Sequence, residues 1–416
     1  MAKTLKHIDL YYDSADSHAS ALALILALRP EWQATKDTID FVRFKDGITN
    51  TLFKAVNRLP GLSESEVDRN AILLRAYGRG TQVLIDRDRE AASHSLLAEH
   101  NLAPSLLARF NNGLLYEYIE GKVCSPEDLR RPEIYRGVAR RIAEWHATLK
   151  ISAVAQEPEV DVNGTKRTRR PSIDDRSERL TPDKPVPNVW TVMQKWIYAL
   201  PTDTEEKKKR QVQLQTELEW MLKKLGNTPG LAGHQLVFGH CDLLSGNIII
   251  LPNSDLSSQS SKTSSPALSA TSVDSPYTPV GFIDYEYATP SPAAFDIANH
   301  FAEWGGFDCD FSKMPTRAQR RDFLLTYIHT FNGLLGRDFK QADLDQLFDE
   351  VDTFRGAPGF YWGIWALIQA TISQIDFDYA SYAEVRLGEY WAWKDTLSNG
   401  ISADAPLRER RWHAEE

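Results

Sequence analysis

A chain of 416 residues with 42% hydrophobic and 25% charged side chains has the make-up of an ordinary globular protein, long enough for two lobes. Its formal net charge of -9 argues against a nucleic-acid surface, which needs a basic stripe, and suits a cationic substrate. Cys124, Cys241 and Cys309 are too scattered for a disulfide framework or a zinc spacing, which points to a reducing, cytoplasmic setting.

In chain order, "ALALILAL" (Ala21 to Leu28) is too short to span a bilayer and reads as a buried helix, so no membrane insertion is expected. "TIDFVRF", the turn "KDGITN" and "LFKAV" alternate like a strand pair. "AILLRAYG" reads as a strand with Leu73, Arg75 and Tyr77 on one face. "VLIDRDREAASHSLLAEHNLAP" predicts a strand, a turn and a helix ending before Pro104, and "GLLYEYIEG" predicts another strand. "RPEIYRGVARRIAEWHATL" opens a helical part, with Pro132 in the first turn and Ile134, Val138, Ile142 and Trp145 on one face. "AFDIANHFAEW" and "FYWGIWALIQATISQI" also carry helical spacing. The fold class is α+β, with a small β-rich lobe over residues 1–120 and a larger, mostly helical lobe over 121–416. Two stretches interrupt it, a charged one near 151–188 and a Ser/Thr/Pro-rich one, Pro252 to Pro279; both read as disordered insertions. The second splits "NIIILP" from "VGFIDYEYA", but loop-closure entropy grows slowly with length, so the two runs are still expected to pair.

Chemistry concentrates in "GHCDLLSGNIII", where His240, Asp242 and Asn247 follow the order H-x-D-x-x-x-x-N. In a phosphotransferase loop of that order the Asp accepts the proton of an attacking hydroxyl and the Asn holds Mg²⁺. Downstream, an apolar strand ends in Asp284, where a second metal-binding aspartate belongs. Upstream, the Asp46 to Asn50 turn offers backbone N–H groups and the Thr49 and Asn50 side chains to phosphate. Arg75, in mid-strand among apolar residues, needs a carboxylate, and Glu90 at the start of the next helix is the candidate. The turn lacks G-x-G-x-x-G, which excludes an ordinary protein kinase.

Together with "FKDGITNTLF", "LIDRDRE", "FNNGLLYEYIEG" and "WGIWALIQATIS", these motifs resemble the choline/ethanolamine kinase family, and its ethanolamine branch more than its choline branch. The resemblance implies a protein-kinase-like bilobal fold and Mg²⁺-dependent transfer of the ATP γ-phosphate to ethanolamine, the first step of the CDP-ethanolamine route to phosphatidylethanolamine. By motif, Asp242 is implied as base, with His240 bracing the loop, and Asn247 and Asp284 as Mg²⁺ ligands. Asp46, Gly47, Thr49, Asn50 and Arg75, paired with Glu90, are implied on the ATP phosphates, and Glu117 and Ile119 on the adenine-contacting strand. Tyr287, Glu303, Trp362 and Trp365, with Asp242, are implied to form the ammonium pocket, although Trp362 and Trp365 read alone would be plain core packing. Cys241 stands where the family often carries Asn, which puts local hydrogen bonding in question. Choline kinase, an aminoglycoside phosphotransferase and an inactive nucleotide-binding scaffold are the competing readings. No nucleic-acid partner is expected, and a homodimer is left open.

Overall fold

The computed structural model describes residues 5–44, 50–78, 81–149, 151, 159–160, 166–167, 187–252, 277–373 and 375–416. The alternating segments near the start form β1 (Lys6–Ile8), β2 (Ile39–Phe44), β3 (Asn50–Asn57), β4 (Ile72–Tyr77), β5 (Leu106–Phe110) and β6 (Gly113–Glu117). They make one six-stranded sheet in the order β1-β5-β6-β4-β3-β2. Only the β1–β5 pair is parallel. Strand β4 lies inside the sheet, where Arg75 is opposite Leu52 on one side and Leu114 on the other. A doubly hydrogen-bonded strand is a rigid base for a long cationic side chain.

Helix α1 (Ser17–Leu28) buries Ala21, Leu24 and Ile25 in a core shared with Phe53, Leu74 and Leu115. It is the buried helix that the apolar run predicts. A short helix, α2 (Glu64–Arg69), lies between β3 and β4. The strand expected at "VLID" does not form. Residues Thr81–Val83 wind instead into a 3₁₀ turn, held by bonds from Leu84 N and Ile85 N to Thr81 O at 3.0 and 2.9 Å. That turn delivers Asp86 as the N-cap of α3 (Arg87–Glu99), where its side chain accepts from Arg89 N at 3.1 Å.

After β7 (Lys122–Val123) the chain is mainly helical, starting with α4 (Pro132–Thr148), whose first residue is Pro132. Ile134, Val138, Ile142 and Trp145 all face the main core, as their spacing predicts. Two helices follow, α5 (Val189–Ala199), closed by an Asn188 capping box, and α6 (Glu205–Leu225). Four short strands then appear: β8 (Val237–Gly239), β9 (Ile248–Ile250), β10 (Val280–Phe282) and β11 (Thr289–Ser291). Strands β9 and β10 pair antiparallel, Ile248 to Phe282 and Ile250 to Val280, and β7 flanks β9 on its other edge. The hairpin therefore forms across the long Ser-rich segment, as expected.

Most of both expected insertions lies outside the described residues, but the end of the second is packed structure. Thr278 N donates to Glu133 O at 2.8 Å, and Arg140 stacks over the Tyr277 ring at 4.6 Å. Gly137 in α4 makes room for this passage, since a Cβ there would lie 2.0 Å from Thr278 O. Ala for Gly normally stabilises a helix by about 1 kcal/mol, but a clash with fixed backbone on both sides outweighs that gain. The Gly137→Ala variant is expected to unfold in urea with a net loss of about 1–2 kcal/mol.

The remaining helices are α7 (Ala293–Ala302), α8 (Arg317–Leu334), α9 (Gln341–Phe354), α10 (Ala357–Ile372), α11 (Tyr379–Asn399) and α12 (Leu407–His413). Helices α10 and α11 pack closely because Gly359 lacks a Cβ, which would sit 2.5 Å from Arg386 O. Among the described residues no helix is long and apolar enough to cross a membrane.

Candidate active site

A cleft of about 280 Å³ runs between the six-stranded sheet and the helical part. Its floor is the loop from β8 to β9, and that loop is held from behind by one buried carboxylate. Asp296, fully buried in α7, accepts from His240 N at 2.9 Å and from Cys241 N at 2.7 Å. His146 fixes Asp296 in turn (2.9 Å) and meets Tyr327 OH through its other nitrogen (2.8 Å). These bonds hold Cys241 at φ 60°, the left-handed region that Asn tolerates better than most residues. The question raised by cysteine at this position has a local answer: the backbone amide, not the side chain, carries the anchoring bond.

His240 does not face the cleft. It is fully buried between Trp145 and Phe282, with Nε2 at 3.1 Å from Ile283 O. Burial lowers it to about 4, so it is neutral near pH 7. Its place away from the cleft keeps it from touching substrate and agrees with the bracing role that the motif implies: His240 joins the loop to the start of the Asp284 turn.

Asp242 does line the cleft. Asn247 Nδ2 donates to Asp242 O at 2.8 Å and to its Oδ2 at 3.2 Å, which fixes the two side chains against each other. Burial, then the charges of Asp284, Glu303 and Glu286, push the Asp242 carboxyl well above the usual carboxylate range. Asp284 follows β10 at φ 65° and is partly exposed to the same cleft. Burial pushes it up to about 7, against the pull of Arg75.

Arg75 reaches the cleft from β4 and gathers three carboxylates. Its Nη1 lies 3.0 Å from Glu90 Oε1, and its Nη2 meets Asp284 Oδ1 at 2.8 Å and also Glu286 Oε2. The partner expected from sequence, Glu90, is thus in place. Burial disfavours the Arg75 charge, but Asp284, Glu286 and Glu90 more than offset this and hold it firmly cationic. Arg87, at the first position of α3, shares this load with 2.9 Å contacts to both Glu90 and Glu286. Asn50 donates to Glu286 Oε2 at 3.1 Å and so ties the start of β3 to the network.

Of the other residues expected on the nucleotide, Asp46, Gly47 and Thr49 lie outside the described residues. Ile119 lines the cleft beside Tyr118. Glu117, at the end of β6, is exposed, and its side chain turns to Ser105 N at 3.3 Å rather than into the cleft. The lining there comes from Tyr116, Tyr118 and Ile119, and the Glu117 N–H is given to Ser105 O at 3.0 Å.

The far end of the cleft is aromatic. Tyr287 packs edge-on to Trp362, with ring centroids 5.6 Å apart, and Trp362 packs edge-on to Trp365 at 5.5 Å. Trp365 Nε1 donates to Tyr287 OH and Trp362 Nε1 to Asn299 Oδ1, each at 2.8 Å. Both tryptophans belong to the core and also line the cleft, so core packing and a place at the cleft go together. Glu303 closes this end, with Oε1 at 2.9 Å from Arg386 Nη2. Among the described residues the lining has four carboxylates (Asp242, Asp284, Glu286 and Glu303) and a single guanidinium, Arg75. A cleft charged in this way attracts cations.

Sequence reasoning missed Glu286, Arg87, Asp296 and Arg386. Asp296 carried a usable signal, an acid inside the apolar helical run "AFDIANHF". Glu286 lies two residues beyond Asp284, so alternation along the segment carries a signal for it.

Compared with known proteins, residues 41–391 match the sequence model of the family described as choline/ethanolamine kinase. The chain is 33% identical over 390 residues to ethanolamine kinase 1 of Homo sapiens, covering 91% of this chain and 72% of that one. It is 31% identical over 384 residues to ethanolamine kinase 2 of Mus musculus, covering 91% and 82%. Among solved structures, the fold is similar to the ethanolamine kinase of Plasmodium vivax, with TM-score 0.66, 23% identity, and 91% and 89% of the two chains covered. It is also similar to the choline kinase of Cryptosporidium parvum, with TM-score 0.62, 20% identity, and 92% and 97% covered.

Proposed function

The chain belongs to the choline/ethanolamine kinase family, and from that premise we propose that it moves the γ-phosphate of ATP to the hydroxyl of ethanolamine, giving phosphoethanolamine for phosphatidylethanolamine synthesis. The observation that carries this reading is the layout of the cleft. Asp242 shares one lining with Arg75, Asn247 and Asp284, read here as the phosphate side, and with Glu303, Tyr287, Trp362 and Trp365, read as the ammonium side, and it feels the charges of both Asp284 and Glu303.

In this reading the substrate oxygen attacks the γ-phosphorus, its bond to phosphorus forms as the bond to ADP breaks, and Asp242 takes the hydroxyl proton. The ammonium lies against the aromatic faces with its N–H groups on Glu303, which orients the hydroxyl toward Asp242. Burial and then like-charge crowding raise both carboxyls, and a cation beside them favours the ionised form, the form in which Asp242 can take a proton.

The oxygen donors of Asn247 and Asp284 suit Mg²⁺. When bound, Mg²⁺ supplies charge neutralisation for the β- and γ-phosphates. A cytoplasmic location fits the three unpaired cysteines.

Ethanolamine brings three N–H donors, and the carboxylate of Glu303 is there to accept them; a trimethylammonium brings none. Each buried acceptor left unpaired costs about 1–3 kcal/mol, so kcat/KM for ethanolamine is expected to exceed that for choline roughly tenfold or more. Both values are to be measured under saturating Mg-ATP on one enzyme batch. Equal values, or a choline preference, would overturn the ethanolamine assignment and leave the kinase reading standing.

A further inference from the structure

Glu303 is not a free carboxylate waiting for an ammonium. Behind it runs a row of buried, alternating charges that passes through the last helix, α12, and ends at Arg355, the residue that follows α9. Arg386 Nη2 is 2.9 Å from Glu303 Oε1, and Arg386 Nε is 3.0 Å from Glu389 Oε1. Glu389 Oε2 lies 3.0 Å from Arg408 Nε, Arg408 Nη1 is 2.7 Å from Glu409 Oε1, and Glu409 Oε2 lies 3.0 Å from Arg355 Nε. None of the six is more than 7% exposed. Three acids alternate with three arginines, so the row is neutral before a substrate arrives.

The contacts nearest the cleft differ from those farther in. Glu303 Oε1, Arg386 Nε and Nη2, and Glu389 Oε1 lie close together without hydrogen-bond alignment, whereas Arg408 donates well-aligned bonds to Glu389 and Glu409. Arg386 is thus held between two carboxylates mainly by charge. Its Nη1 lies 3.4 Å from the hydroxyl of Tyr382, another residue of the cleft lining.

We propose that Arg386 and Glu389 are positioning residues that set how tightly Glu303 holds the substrate ammonium, with Glu389 drawing the Arg386 charge away from the pocket. The proposal rests on the functional reading above. Glu303 has two cations to serve, Arg386 and the ammonium. Without Arg386 it would be a buried, unpaired acid and would take up a proton. With Arg386 alone it would be neutralised before the substrate arrived. Glu389 divides the Arg386 charge and leaves Glu303 with a net attraction for an incoming cation. Arg408 on α12 limits that effect by claiming part of Glu389. The electrostatics of Glu303 agree: burial raises it, Arg386 lowers it and Glu389 raises it again.

The signs of the effects alternate along the row, and this separates the proposal from simple structural damage. Glu389→Gln keeps the shape and removes the charge, so the KM for ethanolamine is expected to rise roughly tenfold, with kcat and the KM for ATP within about twofold of wild type. Arg408→Gln frees Glu389 to draw more of the Arg386 charge, so the KM for ethanolamine is expected to fall. Damage to the fold would raise it in both. Where a single variant does not fold, the double variant Glu389→Gln with Arg408→Gln leaves no unpaired charge in the row, and it too is expected to raise the KM for ethanolamine. An unchanged KM in folded Glu389→Gln or in the double variant, or a rise of similar size in both single variants, overturns the proposal. If the wild-type chain turns over neither ethanolamine nor choline, the kinase reading fails and takes this one with it; an active wild type with an indifferent Glu389→Gln variant overturns this proposal alone.

Discussion

Replacing Asp242 by alanine or asparagine is expected to lower kcat by at least about 100-fold, the scale of a positioned acid–base group. Stability is expected to move the other way or not at all. Burial, then the charges of Asp284, Glu303 and Glu286, raise the Asp242 carboxyl well above the ordinary range, so its negative charge opposes folding. Asparagine removes that charge and keeps an oxygen that can accept from Asn247. The pairing of lost turnover with an equal or higher Tm marks a residue kept for chemistry. Steady-state kinetics and thermal unfolding on the same preparation check both halves. Retained turnover in a folded Asp242→Ala variant would remove the mechanism.

Arg75→Ala is expected to damage fold and function together. Arg75 is 6% exposed and serves Glu90, Asp284 and Glu286. Breaking a buried ion pair from one side costs about 3–5 kcal/mol, because the charges left behind remain buried. Arg87 still reaches Glu90 and Glu286, which keeps the loss within that range and leaves Asp284 the most exposed to it. Urea unfolding is expected to show the loss, and kcat/KM for ATP to fall by about 100-fold or more, as for loss of a preorganised charged donor. Arg75→Lys keeps the charge but loses the fork that spans three carboxylates, so it is expected to fall between wild type and alanine. An Arg75→Ala variant with normal stability would show that these carboxylates do not depend on it.

These two residues also show what the sequence made legible. Asp242 stood in a spaced motif, and Arg75 was a cation inside an apolar strand, each a local anomaly. The β9–β10 hairpin was legible for a similar reason, since both apolar runs kept their pattern on either side of the long segment. What escaped depends on contacts between distant parts of the chain. Nothing near Arg87 shows that it will meet Glu286, 199 positions away, and nothing in α11 marks Arg386 as the partner of Glu303. The strand expected at "VLID" failed because the apolar run resembles a strand, while Thr81 and the Asp86 cap favour a tight turn into α3. The tail of the Ser-rich segment was assigned to the insertion on composition, yet residues 277–279 pack on α4. Gly137 was the available signal there, a glycine inside a helix with no turn to make.

The central claim is that this cleft joins the γ-phosphate of ATP to the oxygen of a small amino alcohol. Phosphorus NMR of the wild-type chain with Mg-ATP and ethanolamine tests it most directly. The account predicts a new phosphomonoester resonance, that of phosphoethanolamine, growing in step with ADP and absent when ethanolamine is left out. ADP accompanied only by inorganic phosphate, or no consumption of ATP at all, would contradict it.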